Sequence, residues 1–453
     1  MKRTLADAAR VLGVPLAGED RPYGAVSTDS RTLGAGALFV GLRGPNFDGA
    51  QFAAAAAARG AVGALLERAA PEVKLPQIVV PDALHALQTL ARHWRADFPV
   101  PVVAVGGSNG KTTTKEMTAA ILARSGSTLA TQGNLNNHIG VPLTLLRLES
   151  THRHAVIEMG ANRIGDVAEL VRLAHPTVGL ITNAGAEHLE GFGDLDGVAR
   201  GEGEMVAGLE PKATAIINAD DPYAGYWRKL AVLARVLTFG VHGPADFMAK
   251  NPQQAIEHGE FITRFTLHCP MGEQPVTLRA GGAHNISNAL GAAAAASAAG
   301  ASLADIAAGL ADFRAVAGRL QLKAGLRGSW LIDDSYNANP SSVRAGLEVL
   351  RALPGATWLV LGDMAELGDH SSDSHAHMGT YARACGVKRV FAVGPLSSRS
   401  VETFGSGGEW FPDADSLIRR LQGELAAGVT VLIKGSRVNR LERVVQALIP
   451  GTL

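Results

Sequence analysis

Residues 101–117 read PVVAVGGSNGKTTTKEM, and their order decides the class of fold. Val102 to Val105 form a short apolar run with the pattern of a buried strand, the glycines and Ser108-Asn109 interrupt it, and Lys111 to Leu122 carries a helical pattern. Strand, glycine loop and helix in that order make a phosphate cradle. Glycine lets backbone N–H groups approach phosphate oxygens, and the helix N-terminus adds a positive dipole. Lys111 is then expected to reach the terminal phosphates and the Thr112 hydroxyl to ligate magnesium, with Gly107, Ser108, Asn109, Gly110 and Thr113 completing the nucleotide loop. The strict pattern places a further glycine five residues before Gly110, where this chain has Val105. The loop is therefore the shorter GxxGKT form, and a general motor or GTPase reading weakens.

Working outward, short apolar runs alternate with helical stretches. Ala155 to Ile157, Val178 to Thr182 and Ala215 to Asn218 read as strands, with an amphipathic helix at Asp166 to Ala174 between them. That alternation predicts an α/β fold with parallel sheets crossed by helices. A second series, Trp330 to Ile332, Trp358 to Leu361, Val390 to Val393 and Val431 to Ile433, predicts a smaller nucleotide-type fold, with Pro340 and Ser341 opening one helix and Asn439 another. Residues 1–96 differ: strands are expected at Leu38 to Leu42, Val62 to Leu66 and Ile78 to Val80, followed by a linker from Phe98 to Pro101. The chain of 453 residues is thus divided into three domains, 1–96, 97–317 and 318–453, in keeping with roughly 150 residues per domain. The alanine runs Ala53 to Ala58 and Ala292 to Ala296 read as close-packed helix faces.

Composition narrows the function classes. Forty-two basic residues cancel forty-two acidic ones, so no broad positive field is available to gather nucleic acid. No apolar run approaches the ~20 residues that span a bilayer. Two cysteines, Cys269 and Cys385, and an opening MKRTLADAARVLG without an apolar signal core point to a reducing, cytoplasmic setting.

Two further residues belong beside the loop. Glu158 ends the Ala155 to Ile157 strand, and His188 follows the next one. Ligands of open α/β sheets collect at the carboxyl ends of strands, which puts Glu158 and His188 in the crevice of Lys111, where they suit a magnesium site. Alone, a histidine after a strand is more often a loop residue bonded to backbone, and its coincidence with the phosphate loop is what raises the functional reading.

These segments, with TDSR from Thr28, GNLNNHIGVPLTLL from Gly133, EMGANRIGD from Glu158, HLEGFG from His188, NADDPY from Asn218, AHNISNALGAAAA from Ala283, GRLQ from Gly318, DDSYNANPSSV from Asp333, LGDMAELG from Leu361 and KGSR from Lys434, resemble the Mur ligase family of peptidoglycan synthesis over nearly the whole chain. The resemblance implies three domains: an N-terminal domain holding a UDP moiety, a central P-loop ATPase domain and a Rossmann-like C-terminal domain. It implies ATP and Mg2+ as cofactors, and UDP-N-acetylmuramoyl-tripeptide and D-alanyl-D-alanine as substrates of a monomer. ATP would phosphorylate the tripeptide carboxylate, and the dipeptide amine would displace phosphate to form the amide. Glu158 and His188 would serve the metals, Lys111 and Arg319 the phosphates, and Asn285, Asn288, Asp334, Tyr336 and Asn337 the nucleotide. Ser30, Arg31, Asn134, Asn136 and Asn137 would contact the substrate. Read without the family, Asn285 and Asn288 are as readily helix-capping and packing residues as nucleotide contacts, Asp334-Ser335 as readily an ordinary turn, Arg319 a surface arginine, Arg31 a structural arginine whose guanidinium also suits a diphosphate, and Lys434 as readily a phosphate contact as a solvated loop residue.

The chain departs from the family pattern twice. Ala50 stands where histidine is usual after Phe47-Asp48-Gly49, and Glu202, within RGEGE at 200–204, stands where the family commonly carries a carbamate-modified lysine. Glu202 brings an anion without modification and is expected to reach a second magnesium beside His188 through a bridging water; Glu204 or Glu187 is the alternative. The rival functions are another Mur ligase, a folylpolyglutamate synthase, or a binding module that uses ATP only to close its domains.

Overall fold

The computed structural model describes residues 3–451, and its strands assemble into three main sheets. The largest has nine strands in the order Thr128–Ala130, His154–Glu158, Val102–Gly106, Val178–Ile181, Thr214–Asn218, Arg235–Gly240, Phe247–Glu257, Glu260–Cys269 and Gly272–Leu278. Pairing is parallel as far as Phe247–Glu257. Beyond it the sheet turns antiparallel, where the sequence led us to expect a parallel sheet only. The cause is local. His258 and Gly259 have φ of 51° and 78°, the two-residue left-handed turn that joins antiparallel neighbours.

Alternation along Val102–Gly106 explains how the sheet is held. Val102 and Ala104 face a layer containing Leu87, Leu145 and Leu170, while Val103 and Val105 face Met117, Ile121 and Leu290 on the opposite side. Helices cover both faces, and the strand has later strands of the chain on each flank, so a crevice opens at its carboxyl end. Of the two alanine runs expected to be close-packed, Ala292 to Ala296 are fully buried within the helix Ala283–Ala298, whereas in the helix Ala53–Ala58 only Ala53 and Ala56 are buried, because that helix turns one face to the core and the other to solvent. Close approach is also required at Gly309, where an added Cβ would lie 2.7 Å from the Ile121 backbone nitrogen of the loop helix.

The N-terminal sheet runs Leu16–Ala17, Gln77–Val79, Gly63–Leu66, Ala37–Val40, Ala25–Ser27, and its three inner strands fall within a residue or two of those expected. The first residue of the stretch expected as a linker packs onto the helix before it, Ala83–Ala96, and that helix is tied to the central part. Trp94 Nε1 donates to Leu148 O at 3.0 Å, Arg95 Nε donates to Ala174 O at 3.0 Å, and Phe98 is buried against Trp94 with ring centroids 5.2 Å apart.

In the C-terminal sheet the order is Gln321–Ala324, Trp330–Asp334, Val429–Lys434, Ala356–Gly362, Arg389–Val393, Gly408–Phe411; only the first strand is antiparallel. The helix Pro340–Arg351 starts where expected. Asn339 Oδ1 accepts from Ser342 N at 2.8 Å, and Ser342 Oγ accepts from Asn339 N at 3.0 Å, closing a reciprocal cap. The last helix corrects the sequence reading: it spans Glu442–Leu448 and does not open at Asn439. The Asn439 side chain is engaged elsewhere, donating to Asp363 O at 2.8 Å and accepting from Asp363 N at 3.2 Å. Cys269 and Cys385 are buried and unbridged. Among the described residues no helix is long and apolar enough to cross a membrane.

Candidate active site

The carboxyl end of Val102–Gly106 turns into the helix Lys111–Leu122 through two glycines in left-handed backbone, Gly107 at φ 110° and Gly110 at φ 83°. The loop is pinned from below. Gly107 N donates to Glu202 Oε2 at 2.6 Å, Ser108 N to Asn183 O at 2.9 Å, and Asn109 N to Asn183 Oδ1 at 3.0 Å. Lys111 Nζ folds back over the loop, donating to Gly107 O at 2.6 Å, Ser108 O at 2.9 Å and Glu187 Oε1 at 3.1 Å. Burial works against its charge, but Glu187, Glu202 and Glu158 outweigh that and hold its pKa above the usual lysine value.

Strand register places Glu158 opposite Val105, beside the loop. Its Oε1 accepts from Asn136 Nδ2 at 2.8 Å, whereas Oε2 is buried without a partner. An orphaned carboxylate oxygen on a residue that lines the same cleft as Thr112 suits a hard cation that keeps waters and phosphate oxygens in its shell. Among the described residues no three His, Cys, Asp or Glu side chains gather as a protein-only metal cage, which is compatible with such an ion. His188 adopts φ 49° and its Nδ1 lies 2.6 Å from Oε2 of Glu366, itself at φ 64°.

The C-terminal sheet supplies the opposite wall. Arg319 Nη2 donates to Thr112 Oγ1 at 3.1 Å, with the guanidinium 4.4 Å above the Tyr336 ring. Asn339 Nδ2 donates to Asn109 Oδ1 at 2.8 Å. Lys434 Nζ donates to Asp334 Oδ2 at 2.6 Å and to Asn337 O at 2.9 Å. On the central side Thr114 Oγ1 donates to Asn288 Oδ1 at 3.3 Å and Asn288 Nδ2 to Asn285 Oδ1 at 3.1 Å. The polar asparagines are therefore tied to the loop helix rather than left as surface caps.

Between these walls lies a cleft of about 540 Å³. It is lined by Ser108 to Thr113, Asn134, Asn136, Asn137, Glu158 and His188 from the central part, with Asn285 and Asn288, and by Arg319, Asp334, Tyr336 and Asn337 from the C-terminal part. Four expected site residues stand apart from its lining. Gly107 lies behind the loop crest, bonded to Glu202. Glu202, expected at a metal, is 2% exposed and turned beneath the loop; burial pushes its pKa up to about 7 against the pull of Lys111. Ser30 is buried in the N-terminal part, and Arg31 forks onto Asp29 through Nε and Nη2, both at 2.9 Å. Three lining residues carried no separate signal in the sequence: Asn183, His284 and Glu187, the last entertained only as an alternative metal ligand. Burial pushes the His284 pKa down to about 4, so its imidazole is neutral in the cleft wall.

Known proteins agree with this geometry along the chain. Residues 22–95 match the domain described as Mur ligase family, catalytic domain; residues 105–296 the Mur ligase middle domain; and residues 318–437 the Mur ligase, glutamate ligase domain. The UDP-N-acetylmuramoyl-tripeptide--D-alanyl-D-alanine ligase of Escherichia coli K12 is 45% identical over 448 residues, covering 98% of each chain. Among solved structures, MurF from Acinetobacter baumannii superposes with a TM-score of 0.91 at 33% identity, over 98% of both chains. The MurF ligase from Thermotoga maritima in complex with ADP gives 0.82 at 28% identity, covering 93% of this chain and 96% of that one. With the phosphate loop, the paired cleft walls and this similarity running through all three sheets, the chain belongs to the Mur ligase family.

Proposed function

We propose that the protein is the ATP-dependent ligase that joins D-alanyl-D-alanine to UDP-N-acetylmuramoyl-tripeptide, releasing ADP and phosphate. The observation that carries this reading is the cleft that two separate sheets build, with a phosphate loop on one wall and Arg319, Asp334 and Asn337 on the other. Its sequence support is full-length similarity to ligases bearing that name.

In this reading residues 1–96 hold the UDP end of the substrate through Ser30 and Arg31, residues 97–317 hold ATP, and residues 318–453 complete the nucleotide site. Lys111 offsets charge on the transferring phosphate, and Arg319 does so from the other wall, because preorganised charges in a poorly solvated cleft stabilise a charged transition state better than water does. Asn134, Asn136 and Asn137 orient the carboxylate to be activated. Thr112 and Glu158, with His188 nearby, would hold Mg2+, which supplies charge neutralisation to the phosphates. A carboxylate is a poor acceptor for an amine until its oxygen becomes a phosphate leaving group, so the walls must also keep water away. In this reading the protein acts as a monomer in the cytoplasm.

The test is a coupled phosphate-release assay over a panel of UDP-sugar peptides and dipeptides. Phosphate release is expected only when a UDP-N-acetylmuramoyl-tripeptide and D-alanyl-D-alanine are both present. Release without an acceptor amine, or only with a single amino acid, would sink the proposal.

A further inference from the structure

The ammonium of Lys111 has three protons to donate, and all three are in use: Gly107 O, Ser108 O and Glu187 Oε1. Two of these acceptors are backbone of the loop itself. The third is a carboxylate on a movable side chain, arriving from the segment after Val178–Ile181, and both partners of the ion pair are largely withdrawn from water, with side chains 15% and 11% exposed. A phosphate oxygen can reach Lys111 only by displacing one of the three, and the side chain is the one free to move. The surroundings are acidic. Glu158 keeps a buried oxygen without a partner and lines the cleft with Glu187, while Glu202 lies under the loop, so two carboxylates face the nucleotide end of the cleft and a third carboxyl group lies beneath it.

We infer that Glu187 is a stand-in anion for the terminal phosphate: it pairs with Lys111 at the place a phosphate oxygen would take and makes the loop select nucleotide whose charge is already offset by a divalent cation. This deepens the proposed function and rests on ATP binding at the loop. A bare triphosphate must expel Glu187 and then sit beside Glu187 and Glu158 with its full charge. A triphosphate carrying magnesium brings a positive charge that the displaced carboxylate can face, so the exchange costs far less. Glu187 is accordingly a positioning residue that acts through Lys111. It also keeps the buried ammonium charged and folded over the loop until substrate arrives.

The test measures binding, apart from turnover. Calorimetric titration of the full chain with ATP in EDTA, and with ATP plus excess magnesium, gives a ratio of affinities. Glu187→Gln removes the competing charge at nearly constant shape. It is expected to tighten metal-free ATP by about tenfold while changing magnesium–ATP by less than about threefold, collapsing the ratio. Glu187→Asp, which keeps the charge on a shorter arm, should fall between the two and offers a second variant if the glutamine chain folds poorly. Glu210→Gln, on an exposed carboxylate paired with His175, should leave the ratio unchanged. An unaltered ratio in both Glu187 variants would overturn the inference and leave the proposed function standing. A large loss of magnesium–ATP affinity with metal-free binding unchanged would likewise overturn it, because Glu187 would then be a metal ligand. Failure of the unmodified chain to bind ATP under either condition would overturn both.

Discussion

Arg319 Nη2 donates to Thr112 Oγ1 at 3.1 Å although 207 residues of chain separate them. This bond brings a guanidinium from the C-terminal part onto the first turn of the loop helix. Arg319 lies 4.4 Å over Tyr336, and its Nε is buried without a partner. A planar cation held by stacking, with an unspent donor inside a nucleotide cleft, is built to receive an anion.

Replacing Arg319 by alanine should lower kcat on the order of a hundredfold, the usual size of losing one preorganised charge at a transferring group. Lysine should restore little of it, since a point charge can neither stack on Tyr336 nor fork. Steady-state ADP release under saturating substrates reads both variants. A lysine variant as fast as the parent would show that charge alone is needed there.

The loop glycines are required by geometry. A Cβ at Gly107 would collide with Thr182 Oγ1 and stand 2.8 Å from Thr182 N, in a backbone already at φ 110°. Gly107→Ala should therefore cost several kcal/mol of stability, in the range of backbone strain plus overpacking, and abolish ATP binding. Gly133→Ala is the comparison, because it shares a positive φ of 55° but meets nothing within 4 Å. It should cost only about 1 kcal/mol. Denaturant unfolding of the two variants side by side decides the matter, and equal losses would refute the steric account.

Glu202 should make stability depend on pH. Burial raises its pKa from the usual 4.5 to about 7, with Lys111 pulling the other way and Glu187 reinforcing the rise. A carboxyl group raised on folding stabilises the folded chain fully below its unfolded pKa, and that contribution is lost as pH climbs through the folded value. Its share of stability should fall between pH 4.5 and 7 by about 3 kcal/mol at most. Glu202→Gln keeps an oxygen for the Gly107 N–H but cannot ionise, so its unfolding midpoint should fall less than that of the parent from pH 5 to pH 8. Parallel pH profiles for the two chains would mean that Glu202 does not titrate in this window.

The same residue marks where sequence reading reached its limit. Strands and helices around the phosphate loop were legible because apolar periodicity and glycine punctuation are local signals, and Lys111 and Glu158 follow directly from being at a helix start and a strand end, whereas Asn288, inside the helix Ala283–Ala298, is reached only through the family resemblance. Glu202 was assigned to a metal from its place in a string, but whether a carboxylate on the helix Leu195–Ala207 points into a cleft or under a loop depends on helix rotation against the sheet, which no local pattern encodes. Glu187 carries no motif of its own, and its link to Lys111 spans 76 residues. The antiparallel hairpins at the sheet edge were missed because His258-Gly259 is a weak turn signal compared with Asn-Gly.

Closure of the cleft is the last expectation. Three side-chain contacts span the cleft from the central to the C-terminal part, Thr112 with Arg319, Asn109 with Asn339, and His188 with Glu366, besides the junction itself, where Phe261 is buried within the C-terminal core and Gln321 Nε2 donates to Ala315 O at 2.8 Å. Glu366 is more than half exposed, and exposed ion pairs are worth about 0–1 kcal/mol. A neutral side-chain hydrogen bond adds about 1 kcal/mol. The exposed pair and the neutral bond across the cleft thus add little to closure, and ligands bridging both walls would add more. Asn339 allows this to be tested cleanly because its two side-chain atoms do different jobs: Oδ1 caps the helix Pro340–Arg351 and Nδ2 bonds Asn109. Asn339→Asp keeps the cap, since aspartate caps as well as asparagine, but turns the cross-cleft donor into an acceptor facing Asn109 Oδ1. Small-angle scattering should show a larger radius of gyration for Asn339→Asp, and larger still with Glu366→Ala, at unchanged thermal stability of the helix. An ATP analogue with the UDP-sugar peptide should compact the parent and, less completely, the variants. If the radius is the same for all three chains with and without ligands, these contacts do not govern closure.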